Sequence, residues 1–284
     1  MKYIEQNAKL KIFRNLIFSD RCNLRTVNKE FNDIFKKYKH EKTVYSDYNK
    51  NINYGEYKNI NFVLNNFDRQ IINVPNNVYI FNIKNQSIKH SNLKKLPSKL
   101  VNIHTLKLCN LPYLKELPLE ICNVHTLSVY HLTNLKELPS ELGNVHTLTL
   151  DDLPNLKELP SLLSNVHILE LYNLPNIKKL PTILCNINTL TLTNLRNLKE
   201  LPSKLENIHY IYLKDLPNII ELSSELVNIN AVCLNFLFLK KLPIELCNIH
   251  TLSLNYLPNL KELPSEFKNI KNLFNHHNIP FNSI

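Results

Sequence analysis

The sequence predicts an α/β-type solenoid. We expect a right-handed coil with a parallel sheet on its concave face, a mostly irregular or 3-10 convex side, and a small helical segment in front. A phrase of 21 residues recurs along the chain, as in NVHTLTLDDLPNLKELPSLLS from Asn144 to Ser164. The copies share one spacing of apolar residues, and prolines interrupt the stretch that follows the strand-like part. Residues 1–40 do not follow the phrase.

One copy of the phrase is enough to predict the shape of a coil. From Ile103 onward the apolar residues are Ile103, Leu106, Leu108, Leu111, Leu114, Leu117 and Ile121. The one interval of two residues, from Leu106 to Leu108, marks a short strand that turns both side chains to one face. The remaining intervals suit a tight or 3-10 return path, because Pro112 and Pro118 exclude a regular helix there.

The copies must stack to fold, since a lone coil cannot bury enough apolar surface to offset the ordering of its backbone. We assign residues 1–40 to a helical segment, 41–77 to a connector and an irregular first coil, 78–275 to about nine repeats, and 276–284 to a C-terminal tail or cap. Full copies begin at Ile103, Val124, Val145, Val166, Ile187, Ile208, Ile229 and Ile249.

The pattern LxxLxLxxLxxLxxLPxxL in these copies resembles the leucine-rich repeat, which implies the solenoid fold and a role in protein–protein interaction. That family usually has asparagine at the ninth residue of the repeat, whereas this chain has leucine, as at Leu111, Leu153 and Leu174. An asparagine precedes each strand instead: Asn102, Asn123, Asn144, Asn165, Asn186 and Asn207, continuing in later copies. This column either supplies a polar ladder that satisfies turn amides between coils, or consists simply of good turn residues.

The candidate partner-binding residues lie at the outward third, fifth and seventh residues of the strands, counted from the start of the copy. Most copies place threonine or serine there, which is typical of a structural ladder. Two copies deviate and present Ile168, Glu170, Tyr172, Tyr210, Tyr212 and Lys214. Tyrosine on a rigid concave face is a common binding anchor, and neutral variation of a solvent-facing surface is the alternative.

Catalytic and metal sites find little support in the sequence. Gly55 and Gly143 are the only glycines, so a phosphate-binding loop is excluded, and no nucleophile–base set stands outside the repeat pattern. A histidine column, as at His104, His125 and His146, has a spacing of about 4.8 Å that could share a metal or sense pH. A solvent-facing turn residue multiplied by duplication is the favoured interpretation. We therefore predict no enzyme, no cofactor and no metal.

The segment before the repeats has two apolar runs at helical spacing, with Ser19 and Asp20 as candidate caps. Through "IF" and LRTVNKEFNDIF it resembles the F-box, the helical module that docks a substrate receptor onto the adaptor of a cullin ubiquitin ligase. The residues that this resemblance makes adaptor-binding are Ile12, Phe13, Leu16, Leu24, Val27 and Phe31. The alternative is a helical cap over the open end of the solenoid.

Charge is unevenly divided along the chain. Residues 1–100 hold 19 lysines and arginines against eight acidic residues, whereas residues 101–284 hold 15 against 16. Nucleic-acid binding by residues 1–58 is thus a third, disfavoured function, which predicts an affinity that falls steeply with salt. Glu5, Lys9 and Lys11 interrupt any secretory signal, and no run of about 18 apolar residues suits a membrane span.

Taken together, these features resemble the F-box/leucine-rich-repeat proteins of large DNA viruses and of eukaryotes. The resemblance implies a non-catalytic adaptor or substrate receptor in the ubiquitin conjugation pathway, located inside the cell in the cytoplasm (the host cytoplasm if the chain is viral) and not secreted. A plain interaction scaffold with no ubiquitin link is the alternative. The cysteine usage points the same way: Cys122, Cys185 and Cys247 occupy one repeat position, too far apart to pair, and are interpreted as small buried residues of a reducing compartment.

Overall fold

The fold is one parallel sheet wound from consecutive coils. The computed structural model describes strands 42–45, 60–65 and 78–84, residues 93–96 and 100, and residues 103–282 except 183, 203, 204, 206, 225, 227 and 228. The 12 strands follow one another across the sheet in sequence order, and every neighbouring pair is parallel. The predicted parallel-sheet solenoid is therefore confirmed.

The strands are short, as a solenoid of tight coils requires. Their bounds are Lys42–Tyr45 (β1), Ile60–Asn65 (β2), Val78–Lys84 (β3), Thr105–Cys109 (β4), Thr126–Tyr130 (β5), Thr147–Asp151 (β6), Ile168–Tyr172 (β7), Thr189–Thr193 (β8), Tyr210–Leu216 (β9), Ala231–Leu237 (β10), Thr251–Asn255 (β11) and Asn272–Asn275 (β12). Through the regular copies, each strand pairs residues that stand at the same place in the repeat, as Leu127 with Leu148 and Leu148 with Leu169. This register stacks equivalent side chains in columns.

The return paths are mostly irregular, with short 3-10 segments at Leu119–Asn123, Ile244–Asn248 and Ser265–Asn269. Each segment begins directly after a proline, at Pro118, Pro243 and Pro264. Proline fixes its own φ and has no N–H to continue a helix ladder, so the chain turns tightly there. The part of the chain that the structure describes contains no α-helix.

The core is one continuous cluster of buried apolar side chains that extends from Leu93 to Ile279. All seven apolar places predicted from the copy at Ile103 are buried, and the strand leucines Leu106 and Leu108 have no exposed surface. The outward residues of the strands alternate with these, giving a pattern of half-exposed and buried residues along β4 and β7. We call the surface formed by those outward residues the outer face.

Both ends of the sheet differ from a simple repeat. At the N-terminal end, β1 and β2 pair in parallel within the segment that we assigned to a connector and an irregular first coil. At the C-terminal end, Leu263 donates its N–H to the carbonyl of Pro280 (2.7 Å) and accepts from the N–H of Asn282 (2.7 Å). The last residues thus fold back onto the final coil. Residues 1–40, for which the sequence predicts a helical segment, lie outside the described residues.

The cysteines correct one expectation. The five described cysteines are free thiols, but Cys185 is exposed, and Cys122 and Cys247 are only partly buried. Their column lies just before the asparagine that precedes each strand, on the turn and not in the core, which explains the exposure. Among the described residues, none forms a helix long and apolar enough to cross a bilayer.

Candidate functional site

The six predicted partner-binding residues lie on the outer face of two strands with β8 between them. The pairing aligns them in three rows across that strand: Ile168 with Thr189 and Tyr210, Glu170 with Thr191 and Tyr212, and Tyr172 with Thr193 and Lys214. Ile168 and Tyr210 are the most exposed members, at 36% and 37% of their surface. The structure therefore brings the six into one patch, divided by a column of threonines.

Several of these side chains are held by neighbours within the sheet. Glu170 accepts a hydrogen bond from the hydroxyl of Thr149 (2.9 Å). Burial raises the pKa of Tyr172, as does the nearby Glu170, while a hydrogen bond with Thr191 opposes the rise. Burial, with Cys233 as the next cause, raises the pKa of Tyr210 to about 12, so its phenol stays protonated at neutral pH. As a protonated phenol, Tyr210 donates a hydrogen bond to the sulfur of Cys233 (3.9 Å).

Three places in the middle of the outer face hold small hydroxyl side chains. Ser128, Thr149 and Thr191 occupy equivalent places and are buried although they point away from the core. Their neighbours in adjacent coils cover them, because equivalent residues are stacked at strand spacing. These three places offer a partner little relief, whereas Lys107 at the equivalent place in β4 is exposed.

The histidine column forms a stack of rings. Ring centroids lie 4.5 Å apart for His104 and His125, 4.1 Å for His125 and His146, and 5.2 Å for His146 and His167. The Nδ1 atoms of His146 and His167 lie 2.9 and 2.8 Å from backbone carbonyls, which assigns the proton to Nδ1. Burial lowers the pKa of His125, as do the neighbouring histidines. Over the described ranges, no group of three or more His, Cys, Asp or Glu side chains could hold a metal ion.

The predicted asparagine column lies along the turn that enters each strand. Asn165 and Asn186 donate their side-chain amides to the carbonyls of Gly143 and Ser164, and Asn207 donates to that of Cys185 (2.6 Å). Asn144 instead donates to the side chain of Asn123 (3.4 Å), and Asn102 lies outside the described residues. In the first three cases the acceptor is a backbone carbonyl of the preceding coil. These asparagine side chains therefore satisfy carbonyl groups between coils, and not turn N–H groups.

A second asparagine ladder, which the sequence argument missed, follows strands β5 to β9. Its members donate to the carbonyl of the residue 22 places earlier: Asn134, Asn155, Asn176, Asn197 and Asn218, at 2.5 to 2.7 Å. Three of these carbonyls belong to prolines, Pro112, Pro154 and Pro175. The recurring Pro-Asn pair was the signal available in the sequence.

One residue at or just beyond the end of each strand from β4 to β11 forms a corner with a left-handed conformation. Its φ angles are between 51° and 56° at Asn110, His131, Asp152, Asn173, Asn194, Asp215, Phe236 and Tyr256. Asparagine and aspartate tolerate this region, whereas a bulky side chain there is an outlier. Phe236 and Tyr256 are thus exceptions in a column that otherwise holds small polar residues or histidine.

The two exceptional residues form one wall of a groove of about 580 Å³ that was also missed from the sequence. Phe236, Phe238 and Tyr256 are 44%, 42% and 45% exposed, and the rings of Phe236 and Tyr256 lie 4.5 Å apart between centroids. Other lining residues are Arg196, Lys214, Asp215, Pro217 and Pro258, with Asn173, Thr193 and Asn194. We call this the aromatic groove. Its signal in the sequence was an aromatic residue in a column of asparagine and aspartate.

The predicted adaptor-binding residues lie outside the described residues, and comparison with known families covers this part of the chain. Residues 6–42 match the model of the F-box domain. This range contains Ile12, Phe13, Leu16, Leu24, Val27 and Phe31. The search of curated proteins gave no match.

The match confirms the resemblance that the N-terminal segment showed, and it extends slightly beyond the predicted boundary at residue 40. F-box proteins are generally non-catalytic, and the domain suggests a role as an adaptor or substrate receptor of a ubiquitin ligase with a protein partner. The chain joins an F-box domain at residues 6–42 to a parallel-strand solenoid, an arrangement consistent with a leucine-rich-repeat F-box protein.

Proposed function

We propose that this chain is a non-catalytic substrate receptor of a cullin-type ubiquitin ligase. In this proposal residues 6–42 dock onto the adaptor subunit of the ligase, and the solenoid holds a captive protein. The observation that carries it is the F-box match directly ahead of a parallel-strand solenoid. Such a receptor acts inside the cell, in the cytoplasm.

The geometry of the solenoid supports the holding role. The core is continuous from Leu93 to Ile279, so the outer face is presented on a rigid support with fixed strand spacing. Ile168 and Tyr210 project from that face as the most exposed members of the six-residue patch. Rigid apolar and aromatic anchors lose little conformational entropy on binding, which favours their use at interfaces.

The ligase link is tested with the purified adaptor subunit and the full chain. We expect the two to form a complex on size-exclusion chromatography and to give a measurable Kd by calorimetry. The double substitution Leu24→Ala and Val27→Ala should weaken the complex by at least about tenfold, because truncating central apolar contacts typically costs over 1 kcal/mol each.

The matched control is Tyr210→Ala with Tyr212→Ala, which changes the outer face and should leave adaptor binding intact. Circular dichroism of each variant shows whether the solenoid remains folded. If the unaltered full chain shows no affinity for the adaptor, the ligase proposal fails. Retention of a captive protein without the adaptor would favour the second candidate, a plain binding scaffold.

A further inference from the structure

We propose that the aromatic groove binds an extended acidic peptide segment of a partner protein. An apolar side chain of that segment packs against Phe236 and Tyr256, and its carboxylates contact Arg196 and Lys214. The inference rests on the proposed role of the solenoid in holding a protein, and it moves the contact from the middle of the outer face to the edge where the strands end.

The first support is conformational. Phe236 and Tyr256 adopt φ angles of 52° and 51°, in consecutive coils, where the other coils have Asn, Asp or His. Bulky residues in this region are strained, and such strain clusters at functional sites. Burial does not explain the aromatic rings, because nearly half of each side chain remains exposed.

The second support is shape. Phe236 and Tyr256 pack on each other, and Phe238 extends the apolar wall toward the return path. Pro217 and Pro258 contribute rigid surface beside them. A smaller cavity of about 270 Å³ continues past Tyr256 to His277, whose ring meets that of Tyr256 edge-on at 5.7 Å. A channel that runs across several coils suits an extended chain better than a compact ligand.

The third support is charge. Two cations, Arg196 and Lys214, line the groove against one carboxylate, Asp215. Neither cation has an ion-pair partner within the described part of the chain. An acidic segment would therefore supply the opposite charge, and a guanidinium binds a carboxylate through two parallel hydrogen bonds.

Arg196 is held in place by a directed chain of hydrogen bonds. Its Nε donates to Asn194 Oδ1 (3.0 Å), Asn194 donates to Asn173 Oδ1 (2.7 Å), and Asn173 donates to Asp151 Oδ1 (2.7 Å). Because only Nε is used, the terminal nitrogens of the guanidinium remain available for a ligand. A preorganised cation loses less entropy when it binds.

The test uses the full chain and three short fluorescein-labelled peptides followed by fluorescence polarisation. Each peptide has one central phenylalanine next to a proline, flanked by aspartates, by serines or by lysines. We expect the aspartate peptide to bind most tightly and to weaken as salt is raised. The double substitution Phe236→Asn and Tyr256→Asn should weaken it by at least about tenfold. Arg196→Gln should weaken the binding of the aspartate peptide and leave the affinity for the serine peptide unchanged.

The double variant keeps the test interpretable, because asparagine is the residue that other coils use at this corner. It should unfold at the same denaturant concentration or a higher one. The inference is overturned if no peptide binds, if the three bind equally, if the lysine peptide binds best, or if the double variant binds like the unaltered chain. Adaptor binding, measured on the same samples, should not change. If the chain binds the adaptor but none of the peptides, only the groove proposal fails. If it binds the aspartate peptide but not the adaptor, only the ligase proposal fails.

Discussion

The coils around β6 and those around β10 share one core and differ at their edges. Leu150 and Leu234 occupy the same buried place in their coils, as the strand register shows. At the corner where the strand ends, the earlier coil has Asp152, whereas the later coil has Phe236. The buried place keeps its leucine in both coils, whereas the corner residue changes from a small polar side chain to an aromatic one. The later coils are therefore where we expect binding specificity.

The outer face varies from coil to coil along its central column. Ser128 and Thr149 are buried by their neighbours, whereas Lys107 in β4 is exposed and Tyr212 in β9 is partly exposed. The large side chains project beyond the small ones, and a surface with such relief can discriminate between partners.

The largest expected effect tests whether the two regions share a core. Leu150→Ala and Leu234→Ala should each lower the free energy of unfolding by about 2–5 kcal/mol, because each removes a fully buried side chain and leaves a cavity. Urea denaturation of the full chain measures both. The control is Leu119→Ala, whose side chain is 71% exposed and whose removal should change stability little. A clearly smaller loss for Leu234 would mean that the later coils are packed less tightly.

Substitutions at the left-handed corner should change the free energy of unfolding by less, and in opposite directions in the two regions. Asn173→Ala removes a side chain that suits the left-handed conformation and takes part in two hydrogen bonds, so it should cost about 1–3 kcal/mol. Tyr256→Asn places the favoured residue type at the same corner and should leave the free energy of unfolding equal or raise it by up to about 1 kcal/mol. The same denaturation experiment reports both. If Tyr256→Asn destabilises the chain markedly, the ring is structural.

The smallest expected effect concerns pH and the histidine stack of the earlier coils. Burial, followed by the charges of His146, His104 and His167, holds the pKa of His125 in the folded chain below its ordinary value of 6.5. The unfolded chain therefore binds more protons just below pH 6.5, and the free energy of unfolding should fall as the pH drops through that value. His125→Asn, which copies the residue at Asn188 and Asn230, should flatten this slope in denaturation experiments between pH 7.5 and 5.5. If His125→Asn leaves the pH dependence of the free energy of unfolding unchanged, the histidine stack is not its cause.

The sequence by itself determined the architecture, because a fixed period with apolar residues in fixed places has one economical way to bury them. Leu106 and Leu108 could be assigned to the inside of a strand from their spacing alone. Apolar spacing before the repeats predicted helices, and "IF" with LRTVNKEFNDIF resembled the F-box, in agreement with the family match to residues 6–42. The outward direction of Tyr210 and Tyr212 followed from the same alternation.

Only the tertiary structure decided which residues from different coils meet. The aromatic groove joins Arg196, Lys214, Phe236 and Tyr256, which lie in four successive coils. The partner of each asparagine ladder, and the left-handed corner that makes Phe236 exceptional, depend on backbone positions fixed by stacking. Periodicity specifies what each place in a coil contains. The contacts between coils depend on the register and the backbone angles that the packed sheet imposes.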